Sequence, residues 1–212
     1  MTEGMSLRER KKAQTRRRLV AAATELFSER GFDKVSVAEI AEAAEVSKMT
    51  VFNYFASKED LVLAPMEEHI GDAARVVRER APGESASAAV RRQFLAAVEA
   101  HDPSVGLSDA PMVLALRRLI QETPSLLIRA QALALRSLGL LAQVLIEEGE
   151  EPPVARIAAA QLIATRNSLI AANQDRLLAG ESAEAVAPDA AALAERGFGL
   201  LDQGLGAFAI RS

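Results

Sequence analysis

The chain has 212 residues, no cysteine, two histidines and a formal net charge of −4, and half of its residues are apolar. This length is enough for one medium-sized domain or two small ones, each with a hydrophobic core. The lack of cysteine excludes disulfides, a thiolate nucleophile and a cysteine-type zinc site. Ala, Leu and Arg are abundant, and no segment alternates apolar and polar residues with a period of two, so we predict an all-α fold of about nine helices.

Positive charge is concentrated near the start of the chain. Residues 1–18 contain seven Lys or Arg and two Glu, and the chain up to Lys58 contains 11 basic and 8 acidic side chains. The remainder is therefore acidic. A basic end on an acidic body is typical of a nucleic-acid-binding module attached to a second domain, and a solvated charged tail is the alternative interpretation of the charge alone.

Signals for export, membrane insertion and catalysis are absent from the sequence. The stretch MTEGMSLRERKK lacks the apolar core of a signal peptide, and the longest strongly apolar run, LGLLAQVLI, is too short to span a bilayer. No nucleophile–base set, Gly-rich phosphate loop or metal-spaced cluster is visible, and His69 and His101 have no ligand-like companions. We therefore expect a cytoplasmic protein that is not an enzyme, with no cofactor, no metal and no membrane partner.

Three helices are predicted in the first 57 residues. The first extends from about Arg8 to Arg30, and Gly31 is suited to end it. Ser36–Glu39 has the capping-box sequence that opens a helix, and after a turn around residues 45–47 a third short helix continues to about Phe55. The basic arm Arg8–Lys12 is expected to be mobile.

The remaining segments predict a larger helical bundle. The sequence SKED at 57–60 opens a long helix that continues to about Arg80. Segments rich in Gly, Pro, Ser and Asp then separate helices near 86–100, 111–122, 125–147, 154–178 and 189–209. The predicted division is a DNA-binding domain at 1–57 with the basic arm, and a ligand-binding and dimerisation domain at 58–212.

Two short helices joined by a tight turn behind a longer helix predict a helix-turn-helix. Val51 and Phe55 fall on the side that anchors the second short helix, which leaves Lys48, Thr50 and Asn53 projecting outward. A Lys can donate to guanine, an Asn can pair with adenine, and a Thr methyl can contact thymine. The candidate DNA contacts are Arg16, Arg17, Ser36, Val37, Ser47, Lys48, Met49, Thr50, Phe52, Asn53, Tyr54 and Lys58.

Structural alternatives exist for several of these side chains. Lys48 is also compatible with a solvated helix position, and Tyr54 with a bridge between core and surface. Lys58 can equally pair with a nearby carboxylate. For the arm Arg8–Lys12, minor-groove or backbone contact is one of two open interpretations.

The stretch RRRLVAAATELFSERGFDKVSVAEIAEAAEVSKMTVFNYFASKEDLV, about 47 residues, resembles the DNA-binding domain of TetR-family transcriptional regulators. The resemblance implies a homodimer, a palindromic double-stranded operator and repression relieved by a small ligand in the C-terminal domain. Three positions depart from the family pattern. Glu45 occupies a turn position that is often Gly, Phe52 replaces a Tyr and so lacks a hydroxyl, and Asn53 is uncommon at its position.

The C-terminal half predicts an interface and a ligand site. Two apolar helices resemble the family's four-helix dimer interface, with candidate interface residues Ile163, Ile170, Leu177, Phe198, Leu201, Leu205 and Phe208. The candidate ligand residues are Phe94, Val98, Leu116, Arg117, Arg136, Leu141, Asn167 and Asn173. The stretch 114–138 resembles a subgroup that binds acyl-CoA-like ligands, including mycofactocin-type regulators. That likeness implies an apolar tail between helices and phosphates near Arg117, Arg118 or Arg129.

The sequence therefore predicts a homodimeric repressor that a small, largely apolar effector releases from DNA. The alternative is a DNA-binding dimer with no small-molecule inducer, in which the C-terminal domain serves only dimerisation or protein docking.

Overall fold

The computed structural model of the chain describes residues 6–204, and this range is helical without strands. Ten α-helices lie within it: α1 Leu7–Arg30, α2 Val37–Ala43, α3 Lys48–Tyr54, α4 Lys58–Glu67, α5 Asp72–Arg78, α6 Ala86–Glu99, α7 Pro111–Glu122, α8 Pro124–Glu147, α9 Pro152–Leu178 and α10 Ala183–Gln203. Short 3-10 helices occupy Phe32–Lys34 and Pro103–Val105. The prediction of an all-α fold is confirmed.

Two predicted helices have different bounds in the structure. The long helix expected up to Arg80 is divided into α4 and α5 by a turn at residues 68–71, and Gly71 is the N-cap of α5. The last helix begins at Ala183 rather than near 189. Ser182 accepts a hydrogen bond from the Ala185 amide and caps it, and Pro188 lies inside the helix. The Gly/Ser/Pro-rich stretch is therefore a helix start and not a linker.

The contacts divide the chain into two compact units. The first comprises Met1–Glu67 and Pro111–Ala130, and the second comprises Glu68–Ala110 and Gln131–Ser212. Helices α4 and α7 thus belong to the compact unit of the helix-turn-helix, since both pack against α1. This packing boundary differs from the predicted division after residue 57. The assignment of DNA binding to one part and of ligand binding and dimerisation to the other stays a prediction.

The core of the first unit fixes the helix-turn-helix. Phe27 of α1 contacts Phe32, with ring centroids 5.1 Å apart, and both rings are buried. Ile40 of α2 and Val51 of α3 are almost fully buried as well. Burying side chains of this size stabilises the unit by about 1.5–3 kcal/mol each, so α2 and α3 have a defined position against α1.

The second unit is built around α6, α9 and α10. Phe94 and Phe198 meet edge to face, with ring centroids 6.2 Å apart, and neither is exposed to solvent. The loop at Gly106 lies directly against α9, because a Cβ at this glycine would be 2.7 Å from the Ile170 carbonyl oxygen. Asn173 donates a buried hydrogen bond of 2.8 Å to the Val105 carbonyl and joins the same loop to α9.

The predicted interface residues differ in exposure. Ile163, Leu177 and Phe198 are buried within the second unit, which leaves them little surface for a second chain. Ile170 and Leu201 are half-buried. Leu205 and Phe208 lie outside the described residues. The large apolar side chains that α9 and α10 expose are Val154, Ile157 and Leu193.

Helix α8 is long and apolar enough, by length and composition alone, to cross a membrane. The helix extends well beyond the apolar run LGLLAQVLI, which by itself is too short to span a bilayer. One such helix is weak evidence for a membrane segment.

Candidate nucleic-acid interface

Helix α3 is held by a cap at its start and by apolar side chains on one face. Ser47 is the N-cap, and its hydroxyl accepts a hydrogen bond of 3.0 Å from the Thr50 amide. Val51 and, just after the helix, Phe55 are buried and anchor the other end. These contacts fix both the start and the rotation of the helix.

The opposite face of α3 is exposed. Met49 and Phe52 are 69% and 45% exposed, and Lys48 and Asn53 are exposed beside them. The Lys48 ammonium lies 5.9 Å from the centroid of the Phe52 ring. This face combines a cationic donor, an amide and apolar surface, which are the groups that read guanine, adenine and the thymine methyl in a major groove.

Two predicted contacts of α3 are less exposed than expected. Thr50 is half-buried, and its hydroxyl lies 2.8 Å from the Ser47 hydroxyl within the cap. Tyr54 is half-buried, and its ring lies 6.5 Å from that of Phe55. Ser47 and Thr50 thus have a structural role at the start of α3, and base contact by Thr50 stays a prediction.

The turn between α2 and α3 contains a strained residue. Glu45 has φ of +52°, in the left-handed region that favours glycine. Arg18 of α1 donates to the Ala44 carbonyl, and its guanidinium lies 3.7 Å from the Glu45 carboxylate. Arg18 therefore connects α1 to the turn that sets the direction of α3.

The start of α2 has the predicted capping box. The Ser36 hydroxyl accepts from the Glu39 amide, and the Glu39 carboxylate accepts from the Ser36 amide at 2.8 Å. Hydrogen bonds from the Ser36 amide and hydroxyl, with Arg30 at 2.6 Å, lower the pKa of Glu39 to about 2. Glu39 is thus ionised at neutral pH and stabilises the start of α2, where Val37 is half-buried.

Two cations expected at phosphates have partners inside the first unit. Lys58 donates to the Phe32 carbonyl at 2.9 Å, and its ammonium lies 4.2 Å from the Phe32 ring centroid. The Arg16 guanidinium lies 4.9 Å from the Phe55 ring centroid. Arg17, by contrast, is exposed. Phosphate contact by these residues stays a prediction.

The expected mobile arm is instead part of α1. Ser6 caps the helix, and its amide donates to the Glu9 carboxylate at 2.7 Å, which completes a second capping box. The first turns of α1 and the end of α3 line a groove formed by Leu7, Arg8, Lys11, Lys12, Thr15, Asn53 and Tyr54. The sequence SLRE of this capping box was the signal that could have located this helix start.

Comparison with known proteins identifies this arrangement. Residues 19–64 match the family model of bacterial regulatory proteins of the tetR family. The HTH-type transcriptional regulator TcmR of Streptomyces glaucescens is 35% identical over 125 residues, which cover 58% of this chain and 55% of TcmR. The helix-turn-helix of this chain is therefore similar to that of TetR-family regulators.

Further proteins are similar to parts of this chain or share its fold. The HTH-type transcriptional activator FasR of Mycolicibacterium smegmatis is 38% identical over 64 residues, which are 30% of this chain and 29% of FasR. The chain thus spans about half the length of TcmR and less than a third of FasR. NalD, the secondary repressor of the MexAB-OprM multidrug efflux pump in Pseudomonas aeruginosa, shares the fold, with a TM-score of 0.54 and 22% identity over 87% of this chain and 97% of NalD. TcmR and FasR are transcriptional regulators, in agreement with the prediction of a DNA-binding regulator.

The candidate ligand residues are divided between the two units. In the first, Leu116 is half-buried and Arg117 is buried, and burial lowers the pKa of Arg117 to about 10. The exposed Arg129 pairs with Asp60 at 2.6 Å, and Arg118 is exposed.

The candidates in the second unit are mostly core side chains. Phe94, Val98, Leu141 and Asn173 are buried, Asn167 is half-buried and Arg136 is exposed. Since Phe94 packs on Phe198 and Asn173 bonds to Val105, both have structural roles.

The sequence interpretation missed Arg166 of α9. This side chain is 8% exposed, and its Nε has no hydrogen-bond partner within the part of the chain that the structure describes. Its Nη2 makes one long contact of 3.5 Å with the Ser104 carbonyl oxygen. Burial lowers the pKa of Arg166, and the nearby carboxylates of Asp72 and Asp102 oppose that shift. An arginine inside an apolar helix is the only sequence signal for such a group.

Proposed function

We propose that the chain is a homodimeric, sequence-specific DNA-binding repressor, released from a palindromic operator by a small, largely apolar ligand, and that it acts in the cytoplasm. The observation that carries the proposal is the division of α3 into two faces. Val51 is buried in the core, whereas Lys48, Phe52 and Asn53 are exposed together. A short helix fixed on one side and bearing base-reading groups on the other is the recognition helix of a helix-turn-helix.

The operator chemistry follows from this exposed face. Lys48 offers a donor to guanine O6 or N7, and the Asn53 amide matches the donor–acceptor pair of adenine. Met49 and Phe52 offer apolar surface to thymine methyl groups, and the Phe52 ring has no hydroxyl for a phosphate. We therefore propose that each half-site contains thymine methyls close to a guanine or adenine contact.

A dimer supplies the second recognition helix. Two-fold symmetry places two such helices about 34 Å apart, one turn of DNA, and accounts for a palindrome. Val154, Ile157 and Leu193 are exposed apolar side chains on the two helices where the TetR resemblance implies an interface. We propose that this exposed surface, rather than the buried Ile163, Leu177 and Phe198, forms the centre of the contact, with Ile170 and Leu201 at its border.

Ligand binding is supported by the chemistry of the second unit. A buried guanidinium with an unsatisfied Nε, as at Arg166, is a group whose desolvation a ligand oxygen would compensate. Phe94, Val98 and Leu141 are apolar side chains buried in the same unit. We propose a ligand with an apolar body and an oxygen-bearing polar end, of which an acyl-CoA-like molecule is one example.

Release from DNA would be a shift of population between two dimer states, one with recognition helices spaced for adjacent major grooves and one without. The chain first passes from the first unit to the second at the turn between α4 and α5, residues 68–71, and it crosses again at residues 110–111 and, within α8, at residues 130–131. A non-helical joint such as the one at residues 68–71 can absorb a change in backbone angles.

The second candidate is a DNA-binding dimer whose second unit binds no inducer and serves only dimerisation or protein docking. It is favoured by the structural roles of Phe94 and Asn173, which account for two of the predicted ligand residues without a ligand. A ligand that raises the melting temperature and also releases DNA distinguishes the first candidate from the second.

The test of DNA recognition is selection of bound sequences from random duplex DNA. Wild type, Lys48→Ala and Arg118→Ala, a matched exposed cation on α7, are compared. We expect wild type and Arg118→Ala to enrich one palindrome, and Lys48→Ala to lose or relax it at the position that Lys48 reads. The expected cost of that contact is about 1–3 kcal/mol, roughly 5- to 150-fold in affinity. A folded dimeric wild type that enriches no sequence contradicts the proposed function.

A further inference from the structure

The first two turns of α1 form a structured basic surface that precedes the family-matched residues 19–64. Arg8, Lys11, Lys12 and Thr15 have the spacing i, i+3, i+4, i+7 and therefore share one face of the helix. The capping box between Ser6 and Glu9 fixes the start of this helix immediately before Arg8. The three cations thus have positions that a disordered arm would not give them.

These cations lie in a groove and not on an isolated helix. Asn53 and Tyr54, at the end of α3, form its other wall, and its volume is about 740 Å³. Within residues 6–204, Arg8, Lys11 and Lys12 make no ion pair. Leu7, 64% exposed, provides apolar surface in the same groove.

An extended polyanion with apolar surface between its charges fits this set of groups. The sugar–phosphate backbone of duplex DNA has this chemistry, with one phosphate charge for every ~1.7 Å of helix axis counted over both strands. The groove includes Asn53, an exposed side chain of the recognition helix, so a strand lying in it would belong to the duplex that α3 reads. The side chains of Thr15 and Tyr54 also line the groove, and their hydroxyls are hydrogen-bonding groups of the kind that contact phosphates.

We propose that this groove, which we call the α1–α3 groove, binds the sugar–phosphate backbone of one operator strand, with Arg8, Lys11 and Lys12 as the phosphate contacts. The proposal rests on the proposed DNA-binding function and adds a contact outside the family-matched segment. These cations would set affinity without reading sequence, whereas Lys48 and Asn53 would set specificity.

The salt dependence of DNA binding tests this division of roles. Each phosphate contact contributes about 0.9 to the slope of log K against log salt concentration. The double variant Lys11→Gln/Lys12→Gln should lower the slope by about 1.8 per bound protomer. Between 50 and 200 mM salt, wild type should lose about 12-fold more affinity per protomer than the variant. Arg8→Gln alone should lower the slope by about 0.9.

The measurement uses full-length protein and two probes, a 30-base-pair duplex of random sequence and the palindrome obtained by selection. Arg118→Gln, the exposed cation of α7, is the matched control, and circular dichroism checks that all variants keep the wild-type helix content. The proposal is supported if the groove variants lose slope on both probes, Arg118→Gln does not, and the preference for the palindrome over the random duplex is unchanged.

Three possible results distinguish failure of the groove proposal from failure of the proposed DNA-binding function. If the groove variants keep the wild-type slope on both probes, the groove does not contact phosphates and the inference is overturned, even if wild type recognises a palindrome. If wild type enriches no palindrome, the proposed function fails, and the slope on the random duplex still decides the groove. If the DNA slopes are unchanged but the groove variants lose binding to anionic phosphatidylglycerol vesicles, the occupant is a membrane surface and the proposal is wrong.

Discussion

The turn between α2 and α3 offers a direct test of how local backbone strain acts on the recognition helix. Glu45 has φ of +52°, whereas TetR-type turns often have a glycine at this position. We predict that Glu45→Gly stabilises the first unit, because glycine adopts this conformation without a steric conflict of its Cβ.

The expected gain is the difference of three effects. A non-glycine residue in the left-handed region costs about 1–2 kcal/mol. Glycine increases the conformational entropy of the unfolded chain, which offsets about 0.4–1 kcal/mol of that gain. The Arg18–Glu45 ion pair has an N–O distance of 3.7 Å and side chains 48% and 87% exposed, so its loss costs about 0.2 kcal/mol. The net stabilisation is therefore about 0.6 kcal/mol.

Glu45→Ala is the matched control, because it removes the same ion pair and keeps the Cβ. It should be about 0.2 kcal/mol less stable than wild type, so the two variants should differ by about 0.8 kcal/mol, or about 2 °C in melting temperature. Thermal and urea unfolding, followed by circular dichroism, measure the difference. If Glu45→Gly is no more stable than Glu45→Ala, the turn is not strained and the reasoning fails. Both variants should keep the operator sequence of wild type, since Val51 and Phe55 still anchor α3.

Two further predictions concern backbone contact and pH. Gly106→Ala should destabilise the second unit by well over the ~1 kcal/mol expected for an alanine in the left-handed region, because its Cβ would lie 2.7 Å from the Ile170 carbonyl oxygen. Gly149→Ala is the control, since Gly149 also has a positive φ but a Cβ there would have no atom within 4 Å. Equal urea midpoints for the two variants would contradict the predicted clash. Glu39 has a folded-state pKa of about 2, below its ordinary value of 4.5, so its contribution to stability is present above pH 4.5 and lost as the pH falls toward 2. Urea unfolding of wild type and Glu39→Gln should therefore differ most at pH 6 and converge near pH 2, and a difference that does not change with pH would exclude the capping-box explanation.

Local signals located most of the helix-turn-helix. Gly31 ends α1 with φ of +83°, and Ser36 opens α2 with the predicted capping box. Val51 and Phe55 are buried as the helical spacing indicated. These features depend on residues three or four positions apart, which is why spacing alone is sufficient to predict them.

Features that depend on tertiary packing could not be predicted from residue spacing in this way. The apolar stripe of α9 does not reveal that Ile163 faces the core while Ile157, six residues earlier, is 60% exposed. A sequence reading also favours treating Pro188 as a breaker, although Ser182 has already begun the helix that contains it. Burial of Arg166 depends on the 3-10 segment 103–105, about 60 residues away, so no local pattern predicts it.

The basic residues of the first unit divide into two groups that sequence alone does not separate. Lys58 donates to the Phe32 carbonyl, and Arg18 donates to the Ala44 carbonyl, so both cations stabilise the turns that support α3. Replacing either would change helix geometry as well as charge, and the loss of DNA affinity would not measure a phosphate contact. The cations of the α1–α3 groove have no such partners within residues 6–204, and replacing them changes charge alone. For this reason the salt slope of the groove variants, and not the affinity lost by Lys58 or Arg18 variants, measures how many phosphates the first unit neutralises.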